Sequence, residues 1–260
     1  MDERLKAFES LLNVMDDLKE KCPWDKKQTI QSLRKLTIEE TYELSDAIIN
    51  NDMKGIKEEI GDVMLHLIFY SKITSETNEF DIADVLNATC EKLIFRHPHI
   101  YGDVKVADED EVKRNWEKLK LKEGKTSILE GVPKGLPSMV KAQRIQDKVR
   151  QVGFDWEEKH QVVDKIHEEL DELSEAVQNN NPVEIENEMG DVLFAVINYA
   201  RLLDLDAEKS LEMTNIKFIR RFQWMEKHAA SKNISIADVG IKELEKWWKL
   251  AKLALEVRFV

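Results

Sequence analysis

Carboxylates at one fixed spacing occur twice in this chain. Glu168-Glu169-x-x-Glu172 is followed by Glu188-x-x-Asp191, and Glu39-Glu40-x-x-Glu43 by Glu59-x-x-Asp62. On a helix, residues three apart share a face, with about 5–6 Å between Cβ atoms. Glu169 with Glu172, and Glu188 with Asp191, therefore form two pairs. A short turn between two helices makes them antiparallel neighbours, so both pairs face one pocket. Four like charges that close need compensation. A hard divalent cation with oxygen ligands, Mg2+ or Mn2+, is the natural one. Acidic residues at this spacing ordinarily line a solvated helix face. Here they sit on both arms of one hairpin, beside apolar Leu170, Leu173, Met189 and Val192. That favours a metal site at Glu169, Glu172, Glu188 and Asp191, with a second candidate at Glu40, Glu43, Glu59 and Asp62.

The two acidic blocks are copies. Shifted by 129 places, residues 36–73 fall on 165–202 without a gap, with about fifteen of thirty-eight positions identical. Gly61 and Gly190 correspond, each inside a helical pattern where glycine costs about 1 kcal/mol relative to alanine. Such a glycine is tolerable where helices or a ligand must approach closely. At a shift of 125, Lys92 and Arg96 fall on Lys217 and Arg221. A cation-filled acidic pocket beside a Lys/Arg pair is the outline of a polyphosphate site; the plain alternative is a surface pair. A period above a hundred residues means two duplicated domains rather than a solenoid.

Helical periodicity runs through nearly the whole chain. It predicts helices at about 3–20, 28–50, 54–76, 82–96, 109–122, 138–151, 160–180, 183–203, 207–229 and 236–257. Asp52 and Asp81 are N-cap candidates, and Pro182 suits a first helical turn. His97-Pro98-His99 ends one helix, and both histidines read as structural or capping residues. Met64, Met139, Met189, Trp116 and Trp224 read as core. Residues 123–137 hold three of the nine glycines and two of the five prolines, a linker composition. The expected division is 1–125, a linker at 126–137, and 138–260, all-α throughout.

Composition narrows the function. The net charge of −12 argues against a nucleic-acid-coating protein, which needs a basic surface. A small anionic substrate remains compatible, because a bound cation inverts the local field. Two cysteines, Cys22 and Cys90, make no disulfide framework, which points to a reducing cytoplasm. The acidic N-terminus reads as no signal peptide, and no apolar stretch is long enough to cross a bilayer. Gly124-Lys125-Thr126 lacks the first glycine of a phosphate-binding loop, since Leu119 takes its place. Glu157–His160 is a lone Glu-x-x-His, where a di-iron bundle needs two. A non-catalytic helical adaptor, its acidic faces docking a basic partner, is the competing reading. In a mixed reading, only the first half has a regulatory or dimerising role.

The acidic motif, together with Cys22-Pro23-Trp24-Asp25, Gln28-Thr29, Arg96-His97-Pro98-His99, Val152-Gly153-Phe154-Asp155-Trp156 and Phe218–Phe222, resembles the MazG-like, all-α nucleoside triphosphate pyrophosphohydrolases. The resemblance covers essentially the whole chain. It implies Mg2+-dependent hydrolysis of ribo- and deoxyribonucleoside triphosphates to monophosphate and pyrophosphate. It also implies a homodimer whose helices combine into four-helix-type bundles, with activity in the C-terminal domain. By matching motifs, Glu169, Glu172, Glu188 and Asp191 hold magnesium, and Glu168 supports them or orients water. Lys165, Lys217 and Arg221 bind phosphates, and Trp248 and Lys252 lie near the nucleotide. One departure is Asn187, where the family often has glutamate; the first half keeps Glu58-Glu59.

Overall fold

The computed structural model describes residues 2–108, 111–112, 115–116, 119 and 127–256. It is all-α, with no strand among the described residues. The chain divides into two compact units, Met1–Val112 and Lys113–Val260. Most of the helix expected at 109–122 lies outside the described residues, as does the Gly124-Lys125-Thr126 segment.

Unit 1 comprises α1 (Glu3–Lys21), α2 (Ile30–Ile49), α3 (Met53–Glu76), α4 (Ile82–Arg96) and the short α5 (Pro98–Tyr101). Its starts are chemically marked. Thr29 and Ser32 form a capping box on α2, Asp52 accepts from Lys54 and Gly55 N–H, and Asp81 and Asp84 box α4. Each side-chain oxygen satisfies a donor that the helix itself leaves open. The core gathers Met15, Leu33, Ile68 and Phe69, with Leu36, Leu65 and Ile73 packed against it. Buried Lys19 reaches the carbonyls of Asp25, Lys26 and Gln28 at 3.3–3.5 Å, fastening the Cys22–Gln28 break to α1. His97 closes α4, its ring Nδ1 2.6 Å from the Leu93 carbonyl. Pro98 then starts α5 rather than simply ending helix, because proline fits a first turn.

Unit 2 comprises α6 (Ser138–Arg150), α7 (Lys159–Gln178), α8 (Pro182–Leu202), α9 (Ala207–Ser231) and α10 (Ile241–Glu256). The helix expected to run unbroken from 236 divides instead. Ser235 accepts from Ala237 N–H over a single 3-10 turn. The Gly240 carbonyl then takes the first bonds of α10, from Glu243 and Leu244. The α9–α10 core is Met225, Ala229, Trp247 and Ala251.

Candidate metal and phosphate site

The hairpin α7–α8 turns on Asn179-Asn180-Asn181. Asn179 closes α7, Asn180 takes the left-handed φ of 50°, and Asn181 opens α8, bonding back to the Ala176 carbonyl. Asparagine tolerates that conformation better than other non-glycine residues. In α2–α3 the turn is the same: Asn51 has φ 53°, and Asp52 N–H donates to the Ala47 carbonyl. Two identical tight turns thus bring equivalent helix faces together.

Glu169 and Glu172 on α7 and Glu188 on α8 each offer a carboxylate oxygen, and these lie within 4.8 Å of one another. Glu40, Glu43 and Glu59 gather the same way in unit 1. Asp191 and Asp62, exposed nearly one turn further along, stand outside these groups. Partial removal from water, then a hydrogen bond with Glu169 and repulsion from Glu169 and Glu188, pushes the Glu172 carboxyl above the usual range. Loss of solvation, then repulsion from their neighbours, does the same to Glu40 and Glu59. Glu59 Oε2 is buried without a hydrogen-bond partner. A set of oxygen donors, crowded by its own charge and holding an unsatisfied atom, fits a hard divalent cation.

One difference between the halves lies at the carboxylates. The Lys165 ammonium lies 2.8 Å from both Glu168 and Glu169, and those bonds push its pKa up. Glu169 is only 7% exposed, so this is the pocket's internal counter-charge. The matching position in unit 1 is Leu36, packed against the core. The family resemblance assigns Lys165 to phosphate; its carboxylate partners were readable from the i, i+3 and i, i+4 spacing. Glu168 is exposed and faces Lys165; Asn187 is exposed.

Lys217 and Arg221 stand one turn apart on α9, Lys217 exposed and Arg221 half-buried. The Arg221 guanidinium lies over the Trp248 ring at 5.6 Å, and Phe218 sits 4.9 Å from the same ring. Lys252 is exposed one turn after Trp248. These α9 and α10 residues form a cation–aromatic cluster, while the carboxylates gather between α7 and α8. A contact missed at the sequence level fastens the Val152–Trp156 segment. Buried Arg201 pairs with Asp155 and donates to Asn198 at 2.9 and 2.8 Å. Neither Gly61 nor Gly190 is pressed by its own chain, since a Cβ at either would meet nothing within 4 Å.

Comparison with known proteins identifies the family. A family described as MazG nucleotide pyrophosphohydrolase domain matches residues 28–101 and 157–225, one acidic hairpin in each segment. A nucleoside triphosphate pyrophosphohydrolase of Escherichia coli K12 is 36% identical over 257 residues, covering 95% of this chain and 98% of the relative. A nucleoside triphosphate pyrophosphohydrolase/pyrophosphatase MazG of Thermotoga maritima is 39% identical over 250 residues, covering 94% and 95%. A crystal structure of a mazG-related protein from Thermotoga maritima is similar at 26% identity and a TM-score of 0.40, over 44% of this chain and 98% of that one. With more than half its length matched in two acidic segments and relatives aligned end to end, the chain belongs to the MazG nucleotide pyrophosphohydrolase family.

Proposed function

We propose that this protein hydrolyses ribo- and deoxyribonucleoside triphosphates to the monophosphate and pyrophosphate in a Mg2+-dependent reaction, Mn2+ substituting, as house-cleaning or control of the nucleotide pool. The observation that carries it is the meeting of Glu169, Glu172 and Glu188 from two helices within 4.8 Å. These three, with Asp191 turning in, are the residues to hold the cation, which when bound neutralises phosphate charge and acidifies water. Cleavage between the α- and β-phosphates is taken from the names of the relatives.

The chain's own groups have distinct tasks in this reading. Lys165 already sits against Glu169, so its ammonium can pass to a phosphate oxygen when a cation takes its place. Exposed Glu168 accepts a proton from the attacking water or holds that water in line. Lys217, Arg221 and Lys252 neutralise the remaining phosphate charge, and Trp248 offers a flat face to the nucleoside. The first hairpin is a second cation site without an internal lysine. No helix among the described residues is long and apolar enough to cross a membrane. A cytoplasmic place and no direct nucleic-acid binding go with the free cysteines and the acidic surface.

The protein acts as a homodimer. Exposed apolar side chains at matching places on α3 and α8, Met64 and Met189 among them, support this. The test of the reaction is to incubate the protein with GTP or dCTP and Mg2+ and resolve the products. Monophosphate plus pyrophosphate is expected; diphosphate plus orthophosphate rejects the assignment, and no turnover with tight capture of a basic partner favours the adaptor.

A further inference from the structure

The carboxylates gather between α7 and α8, whereas Lys217 and Arg221 stand on α9. Handling a phosphate with both requires α8 and α9 to keep a fixed relation. A third helix grips them both. Gln143 and Gln146 are three apart on α6 and share a face. The Gln146 Nε2 donates to the carbonyl of Phe194 on α8 at 2.9 Å. Gln143 takes hold of the turn between α8 and α9. Its Nε2 donates to the Leu205 carbonyl at 3.3 Å, and its Oε1 accepts from the Ala207 N–H at 3.2 Å.

Each bond answers a need of the backbone. Ala207 opens α9 and is buried, and the first N–H groups of a helix have no partner within it. Asp206 serves Lys209; Gln143 serves Ala207. The turn itself is tight, with Asp204 at a left-handed φ of 56° and Leu205 N–H bonded to the Ala200 carbonyl at 2.9 Å. Gln146 is 4% exposed, and its Oε1 is buried without a hydrogen-bond partner. An apolar side chain would avoid that cost, so what the glutamine adds is its bond to α8. The leverage is long. At 1.5 Å per residue, Lys217 and Arg221 stand about 15 and about 21 Å along α9 from Ala207. A tilt of about 5° at the turn moves them by roughly 1–2 Å, and a displacement of that order can cost about 100-fold in rate.

We propose that Gln143 and Gln146 are positioning residues for the reaction: through them α6 is a strut that fixes the phosphate-binding helix α9 against the cation-binding helix α8. This rests on the reading of Lys217 and Arg221 as phosphate ligands given above. Neither glutamine touches the carboxylate trio, which the α7–α8 hairpin assembles on its own turn. Loosening the strut therefore separates two functions, leaving cation capture intact and weakening the hold on phosphate.

The test uses the full chain. Gln143→Met and Gln146→Met keep the reach of each side chain and remove its bonds. Each should raise KM for GTP about tenfold and weaken the binding of Mg2+–tripolyphosphate, measured by calorimetry, by a similar factor. The thermal shift given by Mg2+ alone should stay as in the wild type. Gln146→Met also removes the unpaired acceptor, so its melting temperature should hold while its affinity falls; if Gln143→Met loses helicity, this variant decides. Wild-type KM and tripolyphosphate affinity in the folded variants would overturn the strut, whatever their melting temperatures. A Mg2+ shift lost in step with KM would overturn it too, because the hairpin itself would then have moved. A wild-type chain that binds tripolyphosphate but turns over no nucleotide overturns the reaction proposed above, and the binding measurement still decides the strut.

Discussion

Replacing Lys165 by leucine converts the second acidic pocket to the pattern of the first, where Leu36 stands. The ammonium touches two carboxylates at 2.8 Å, one exposed and one buried. The Glu168 contact is an exposed pair and contributes little. Breaking a fully buried pair costs about 3–5 kcal/mol, but Lys165 is 34% exposed, which discounts the Glu169 contact to about 1–2 kcal/mol. In metal-free buffer at pH 7, Lys165→Leu should lower the melting temperature of unit 2 by roughly 2–8 °C. Five of the six tryptophans (Trp116, Trp156, Trp224, Trp247 and Trp248) are in that unit, so intrinsic fluorescence reports its unfolding. Saturating Mg2+, at about a hundred times its Kd, contributes about 2.7 kcal/mol and takes over the charge on Glu169. The deficit of the variant should then shrink. An equal deficit with and without Mg2+ would refute the idea that lysine and cation compete for one carboxylate.

Three further outcomes are expected. Glu172→Ala should reduce kcat/KM about 100-fold or more while circular dichroism stays unchanged, since Glu172 is exposed on α7; wild-type rates would remove it from the site. Glu40, Glu59 and Glu172 hold raised pKa values, so their stabilising contribution is present when protonated and lost as pH rises through those values. Because a cation needs them deprotonated, the thermal shift produced by Mg2+ should grow from about pH 4.5 towards neutrality; a shift that is flat or shrinking contradicts this. Asp155→Ala leaves the Arg201 guanidinium buried without its main carboxylate, and urea unfolding should show a loss of about 3 kcal/mol, whereas a loss below about 0.5 kcal/mol would make the pair incidental.

The helix order and the acidic hairpin were readable because their causes are local. Asp52, Asp81 and Pro182 start helices through their own chemistry, and Asn50–Asp52 and Asn179–Asn181 turn tightly enough to fix which helices become neighbours. Spacing alone placed Glu169, Glu172 and Glu188 together. It could not set the rotation of α8 about its axis, which leaves Asp191 exposed outside the trio. Met64 and Met189 were misplaced because apolar character does not set which way a helix face turns. The break at Gly240 escaped notice because the periodicity on either side is the same, and a single 3-10 turn preserves it.

The central claim is that the acidic hairpins are cation cages. Crystals of the protein grown or soaked with Mn2+ and measured for anomalous scattering test it most directly. A peak among Glu169, Glu172 and Glu188, lost in Glu172→Ala, is the expected result. A map with manganese bound elsewhere and nothing between α7 and α8 would contradict it.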